Sequence, residues 1–169
     1  MSFFKDDHAR LKQAAIEDAN ITHNHPDARD ASYFLCYMIS ELFKCKTSVF
    51  DVIDKTLSLD YEYDHIKRSV IKALECGVKI DADPVKELGV RGTAHETLST
   101  AIYCFITTDN FKDCAVKSAL LGGDSDTRAA IACAIAGTYY GLEGIPDYYI
   151  NDLEDHNIIM ELDRKLIGV

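Results

Sequence analysis

Two aspartates and a threonine follow a pair of glycines in the segment 122–127, which reads Gly-Gly-Asp-Ser-Asp-Thr. Asp124, Asp126 and Thr127 carry oxygen atoms that lie close enough along the chain to reach one cation. Mg²⁺ and Mn²⁺ prefer such hard oxygen ligands and usually keep waters that a substrate can displace. The two glycines allow a tight turn and a close approach of a ligand to the backbone. These residue types therefore suit a divalent cation.

The same segment is also typical of a junction between two helices. Gly122 and Gly123 can end one helix, and Asp124 or Asp126 can cap the next, where a carboxylate faces the positive end of the helix dipole. The dipole disfavours a cation at this position, so both carboxylates would be needed to reverse the local potential. On spacing alone, capping is the more common role.

Hydrophobic residues recur at helical spacing over most of the chain and predict an all-α fold. Alternating segments typical of strands are short and rare. The segments expected to be helical are Ala31–Leu42, Ile66–Leu74, Leu98–Phe105, Phe111–Leu121, Thr127–Tyr140 and 151–167.

Several details of these helices follow from single residues. Gly77 is expected to end the second helix, because glycine readily adopts the left-handed conformation that terminates helices. Asp109 is expected to cap the fourth. The small residues of Ala129–Gly137 let neighbouring helices approach closely, which favours a central position for that helix. In the last helix, the residues expected to face inward are Ile159, Leu162 and Leu166.

Composition excludes several classes of protein. The chain has 18 Lys and Arg against 28 Asp and Glu, a formal net charge of −10, which disfavours binding to nucleic acid or to an anionic membrane. Its apolar runs, such as Ala101–Ile106, are too short to cross a bilayer, and its first residues do not resemble a secretory signal. The 169 residues fit one domain, 1–169, without a linker.

The six cysteines include no Cys-x-x-Cys pair, and most lie in apolar segments. We interpret them as reduced core residues, which favours a reducing, cytoplasmic location.

Three blocks of sequence, taken in order, are similar to the ADP-ribosylglycohydrolase family. The first is Thr22-His23-Asn24-His25-Pro26, and the second is Gly92-Thr93-Ala94-His95-Glu96-Thr97-Leu98. The third is the segment 122–127 with its alanine-rich helix, followed by Tyr140-Gly141 and Ile145-Pro146. The family's usual form of segment 122–127 is Gly-Gly-Asp-Thr-Asp-Thr. The resemblance extends from Ile16 to the end of the chain.

The resemblance implies an irregular, orthogonal bundle of helices that binds two divalent metal ions, Mg²⁺ or Mn²⁺. It implies hydrolysis of the glycosidic bond that links ADP-ribose to a protein side chain, with ADP-ribose or an ADP-ribosylated protein as partner. By motif position, the implied metal ligands are Asp124, Asp126 and Thr127. The implied substrate-binding residues are His23, Gly122, Gly123 and Ser125.

The family fold is normally longer, and its N-terminal half carries a Thr-Asp-Asp-Thr metal motif that this sequence lacks. The chain is therefore expected to correspond to the C-terminal half, truncated at the N-terminus, with an incomplete second metal site. An unlike partner that carries the N-terminal half could complete the core and the site. Without it, an exposed apolar face would favour self-association. The alternative function is that of a catalytically incomplete relative, either an ADP-ribose-binding protein or a structural interaction protein.

The remaining histidines are interpreted as structural or exposed, and His95 in particular as a cap of the helix that carries Leu98. These histidines are His8, His25, His65, His95 and His156.

Overall fold

The computed structural model describes residues 6–44 and 48–167, which form ten α-helices and no strand. The helices are α1 (His8–Thr22), α2 (Pro26–Leu42), α3 (Val49–Leu57), α4 (His65–Val78), α5 (Pro84–Leu88), α6 (Ala94–Ile106), α7 (Phe111–Leu120), α8 (Ser125–Tyr140), α9 (Asp147–Asn151) and α10 (His156–Ile167). A 3₁₀ turn, Leu142–Gly144, connects α8 to α9. The predicted all-α class is confirmed.

The core is built around α6, because every residue from Glu96 to Phe105 is buried. This helix packs against α2, α4, α5, α7 and α8. The prediction that the small-residue helix is central holds for one face only. In α8, Ala132 and Ala136 are buried, whereas Ala130 and Ala134 are exposed. The centre of the bundle is therefore α6, and α8 lies against one side of it.

A smaller cluster fixes α1 on α2. Leu11 and Ala15 of α1 are buried against Tyr33, Cys36 and Tyr37 of α2. This packing holds the end of α1, and the turn that follows it, next to the start of α2.

Two of the predicted helix ends are wrong by one or two residues. Asp109 does not cap α7, because the side chain of Asn110 accepts the hydrogen bond from the backbone N–H of Asp113. Gly77 does not end α4, which continues to Val78 and ends at Lys79 in an extended conformation.

The helix predicted over 151–167 is present as α10 but begins later, at His156, after a turn in which Asp155 has a φ of 58°. The prediction of its inward face is wrong. Ile159, Leu162 and Leu166 are 45%, 53% and 55% exposed. An apolar stripe shows that a helix has an apolar face, but it does not show that the same chain covers it.

Five cysteines of the described residues are free, and four of them, Cys36, Cys76, Cys104 and Cys114, are buried. Burial raises the pKa of the Cys104 thiol to about 11 and that of Cys114 to about 12. These thiols are therefore protonated core residues, as predicted. Cys45 lies outside the described residues. Among the described helices, none has the length and apolar character to cross a bilayer.

One buried carboxylate positions the start of α4. Asp30 of α2 is buried, and its two oxygens accept hydrogen bonds from the backbone N–H groups of Glu62 (3.0 Å) and Tyr63 (2.8 Å). Arg29 next to it forms an ion pair with Glu62 at 2.7 Å. Adjacent residues of α2 thus fix the loop that leads into α4.

We expect Asp30→Ala to lower the free energy of unfolding by about 2–3 kcal/mol, because the backbone N–H groups of Glu62 and Tyr63 lose a buried, charged acceptor. Urea denaturation measures this change. Asp54→Ala, at an exposed position of α3, is the matched control and should shift stability by less than about 0.5 kcal/mol. Equal losses in the two variants would contradict the role assigned to Asp30.

Candidate functional site

The site lies where the loops before α6 and α8 meet. Gly122 and Gly123 have φ values of 73° and 64°, a left-handed conformation that glycine adopts without strain. The backbone N–H of Asp124 then donates to the carbonyl of Val90 at 3.0 Å. A Cβ at Gly123 would lie 2.1 Å from that carbonyl oxygen. Gly123 therefore allows the close contact between the two loops, whereas Gly122 has open space around it.

Arg128 fixes the turn from inside the bundle. This residue of α8 is 1% exposed, although it carries a charge. Its Nε donates to the carbonyl of Ser118 at 2.9 Å, and one terminal nitrogen donates to the carbonyl of Gly122 at 2.5 Å. These carbonyls belong to the last turn of α7 and the residues after it, where helices carry unpaired acceptors and partial negative charge. Arg128 thus ties the end of α7 to the start of α8.

Glu96 organises the other loop. Its carboxylate is buried and accepts hydrogen bonds from the backbone N–H of Arg91 (2.9 Å) and from the Arg91 guanidinium (2.8 Å). Burial by itself would raise the pKa of Glu96, but the hydrogen bonds and charge of Arg91 outweigh it, and the pKa is lowered. The loop also approaches Asp124, since a Cβ at Gly92 would lie 2.6 Å from its Oδ2.

The predicted metal ligands occupy the first turn of α8. Asp124 stands at the N-cap position, but its side chain makes no capping hydrogen bond. Instead, its Oδ1 accepts a hydrogen bond from the Thr127 hydroxyl at 2.8 Å. The backbone N–H of Thr127 and the neighbouring carboxyl of Asp124 lower the pKa of Asp126. The three oxygen-bearing side chains therefore gather in one turn, with Asp124 free of the capping role that the sequence alone favours.

His23 lies across a groove from α8. It ends α1, and its Nδ1 is 2.9 Å from the Thr22 hydroxyl. A cavity of about 300 Å³ has His23, Gly92 and Thr127 in its wall, together with apolar side chains such as Ile131. The structure thus brings residues from all three sequence blocks to the same cavity.

The other predicted site residues lie beside this cavity and outside its wall. Gly122 and Gly123 form the exposed turn before α8, and Ser125 is the first residue of that helix. A second cavity, of about 330 Å³, shares His23, Ala28 and Ala94 with the first. Its wall continues along the starts of α2 and α6, so that the groove extends on both sides of His23.

A second group of polar side chains, Asp27, His65 and His95, lies in the first turns of α2, α4 and α6. One ligand atom from each lies within 4.8 Å of the others. His95 does not cap α6, so that prediction is wrong; Thr93 holds the N-cap position, and His95 Nδ1 has no hydrogen-bond partner. His25 does have the structural role expected, because it accepts from the backbone N–H of Asp27. The sequence analysis missed this cluster, since no spacing motif joins its members.

Comparison with known proteins identifies the class of protein that carries this arrangement. The sequence model described as ADP-ribosylglycohydrolase matches residues 1–169. The chain therefore belongs to the ADP-ribosylglycohydrolase family.

Particular relatives extend over much of the chain. It is 31% identical over 137 residues to ADP-ribosylhydrolase ARH3 of Mus musculus, an alignment that covers 73% of this chain and 37% of that protein. It is 24% identical over 164 residues to the ADP-ribosyl-[dinitrogen reductase] glycohydrolase of Rhodospirillum rubrum, which covers 94% of this chain and 47% of that protein. The chain thus spans less than half the length of these curated relatives.

We expect Gly123→Ala to destabilise the protein much more than Gly122→Ala. Both positions have positive φ, which costs a residue with a Cβ about 1–2 kcal/mol. A Cβ at Gly123 also collides with the Val90 carbonyl. A Cβ at Gly122 has no neighbouring heavy atom within 4 Å. Thermal unfolding of the two variants isolates the collision, and equal melting temperatures would show that the two loops do not meet as described.

The lowered pKa of Glu96 predicts a pH dependence of stability. A carboxylate with a lower pKa in the folded state stabilises the fold above its ordinary pKa of 4.5. This contribution is lost as the pH falls below that value and through the folded-state pKa. Glu96→Gln should therefore lower stability by about 2 kcal/mol near neutral pH, with a smaller difference in acid.

Unfolding followed by circular dichroism at a series of pH values measures this effect. The exposed Glu75→Gln variant is the control and should follow the wild-type curve. A constant difference between wild type and Glu96→Gln down to strongly acid pH would contradict the ion pair as its cause.

Proposed function

We propose that this chain takes part in the hydrolysis of the glycosidic bond between ADP-ribose and a protein side chain. The proposal rests on one juxtaposition: His23 and Thr127 face the same groove, and Thr127 is hydrogen-bonded to Asp124. Relatives across this region carry the name ADP-ribosylhydrolase. Family membership and this geometry support the same function.

Asp124, Asp126 and Thr127 would hold the Mg²⁺ or Mn²⁺. The donor set fits such an ion, since it consists of two carboxylates and a hydroxyl, and the Asp124 carboxylate makes no capping bond. A bound divalent ion neutralises ligand charge and lowers the pKa of a coordinated water. Three protein oxygens leave the other coordination positions to water, to substrate or to a further protein segment.

The chain's own residues would bind and orient the substrate. Gly122 would place open, bare backbone beside the two carboxylates, so that a diphosphate or ribose can come close, while Gly123 packs against the Val90 carbonyl and holds the turn in place. His23 can hydrogen-bond the substrate from the opposite wall, and the apolar side of the groove excludes water from the sugar. In the reaction itself, water adds to the anomeric carbon, the bond to the side-chain nitrogen or oxygen breaks, and the leaving group takes up the proton.

A second candidate is a catalytically incomplete member that binds ADP-ribose or another protein. The observation that favours it is the exposed apolar surface of the C-terminal helices, here called the C-terminal apolar face. It consists of Leu142, Tyr148, Leu153, Ile158, Ile159, Leu162 and Leu166. Such a face suits self-association or an unlike partner that supplies the missing part of the site. The free cysteines support a reducing, cytoplasmic location for either function.

The decisive measurement is calorimetric titration of ADP-ribose into the chain with Mg²⁺ or Mn²⁺, paired with release of ADP-ribose from peptides modified on arginine or serine. We expect metal-dependent binding that Asp126→Asn weakens at least about tenfold, because one of three protein oxygens loses its charge. Asp109→Asn, an exposed change near the start of α7, is the control.

The outcomes separate the candidates. Binding with turnover supports the hydrolase, and binding without turnover supports an ADP-ribose-binding relative. The absence of both, alone and with a partner that carries the Thr-Asp-Asp-Thr motif, contradicts the proposal. If Asp126→Asn lowers the melting temperature but leaves metal affinity unchanged, the aspartate acts only as part of a helix cap.

A further inference from the structure

The cluster of Asp27, His65 and His95 joins three helices at their first turns. Asp27 is the second residue of α2, His65 the first of α4 and His95 the second of α6. Oδ2 of Asp27 lies 3.3 Å from Nδ1 of His65 and 3.6 Å from Nδ1 of His95. Two imidazoles from different helices therefore point at one carboxylate oxygen.

These separations suit a shared metal ion. With metal–ligand distances of about 2.0–2.1 Å, neighbouring ligand atoms of a tetrahedral site are about 3.3 Å apart. Both distances from Asp27 are close to that value, and all three ligand atoms already lie within 4.8 Å of one another. A small rotation of the His65 ring, whose side chain is 54% exposed, could close the remaining gap.

One of these ring nitrogens has no hydrogen-bond partner. Nδ1 of His95 is shielded from solvent and makes no hydrogen bond. Buried polar atoms in proteins are nearly always paired, and an unpaired one costs about 1–3 kcal/mol. The nearest acceptor, Oδ2 of Asp27, is beyond hydrogen-bond distance at 3.6 Å and already faces His65. A cation bound between the three residues would give this nitrogen a partner.

The cluster rests on a rigid frame. His25 accepts the backbone N–H of Asp27 and so caps α2 at the residue that carries the carboxylate. One turn further along α2, Asp30 fixes the loop that leads into α4 and hence the position of His65. His95 precedes Glu96, which is held by Arg91. Each of the three residues is therefore positioned by contacts that do not depend on the cluster itself.

The donor set differs from the oxygen set of α8. Two imidazoles and one carboxylate suit Zn²⁺ and other transition metals, whereas Mg²⁺ and Mn²⁺ prefer oxygen ligands alone. Three helix N-termini make the local potential positive, which opposes a cation. Asp27 is the charge that compensates for it, and the half-exposed His65 leaves room for water as a fourth ligand.

We propose that Asp27, His65 and His95 form a binding site for one transition-metal ion of the Zn²⁺ class, with water completing the coordination. The ion links the starts of α2, α4 and α6. It also adjoins the groove, because Asp27 and His95 line the same cavity as His23. The site is independent of the proposed hydrolysis and of the oxygen ligands in α8.

The test is a titration of the full chain, free of any histidine tag, with Co²⁺ and then with Zn²⁺. We expect one Co²⁺ per chain with the visible absorption of a nitrogen-ligated ion of low coordination number, and its displacement by Zn²⁺; Co²⁺ held by the oxygen ligands of α8 is distinguished by the absence of that absorption. His65→Gln and His95→Gln should each weaken binding at least about tenfold, because loss of even an outer partner of a metal site typically costs about 10–100-fold. His156→Gln, a change to a histidine in α10, is the matched control and should bind as wild type does.

Two further variants keep the result interpretable. Asp27→Asn preserves the shape of the side chain but removes the charge, so it should fold and lose affinity even if a histidine variant does not fold. Asp126→Asn removes only an oxygen ligand in α8, so it should leave the visible absorption of the nitrogen-ligated Co²⁺ unchanged even where it lowers the total Co²⁺ bound. The proposal is overturned if no saturable absorption of this kind is found, or if Asp27→Asn and both cluster histidine variants leave it unchanged. Loss of that absorption in Asp126→Asn would overturn it as well.

Discussion

A buried guanidinium holds the site together. Arg128 is enclosed in the bundle, and its cost of desolvation is offset by hydrogen bonds to the carbonyls of Ser118 and Gly122. Those carbonyls lie at the negative end of α7, where a cation is favoured. Lysine could not replace it, because the planar fork of arginine supplies two donors in fixed directions. Arg128 therefore fixes the position of the turn that carries Asp124, through its hydrogen bond to the Gly122 carbonyl.

The second constraint is the contact between the loop before α6 and the loop before α8. This contact fixes the starts of the two helices relative to each other. Glu96 holds the loop before α6 through Arg91, and Val90 of that loop accepts the N–H of Asp124. A side chain at Gly123 would collide with the backbone of the other loop, and one at Gly92 would displace the Asp124 carboxylate. The carboxylates of α8 and the histidine of α6 are thus parts of one frame, although they face different clusters. Both clusters lie at helix N-termini, where only carboxylates can make the potential suitable for a cation.

Sequence reasoning could predict the features that depend on neighbours along the chain. Apolar spacing predicted α2, α4, α6, α7, α8 and α10 but not the remaining four helices of the described residues. The Gly-Gly-Asp-Ser-Asp-Thr segment predicted a turn with two carboxylates at a helix start. It could not decide between Asp109 and Asn110 as the cap of α7, since both residue types cap helices well. It also missed the cluster of Asp27 and His65, because 38 residues separate them and only the packing of α2, α4 and α6 brings them together.

One additional protein segment could both cover the exposed apolar residues of α10 and complete the set of oxygen ligands proposed in α8. Mg²⁺ takes six ligands, and under the proposed function Asp124, Asp126 and Thr127 would supply three of them. A second copy of the chain would cover the C-terminal apolar face but could add only the same motifs. An unlike protein segment could cover that face and also add new carboxylates to the groove. Metal affinity and the burial of α10 should therefore rise together when such a segment binds, whereas self-association would change only the burial.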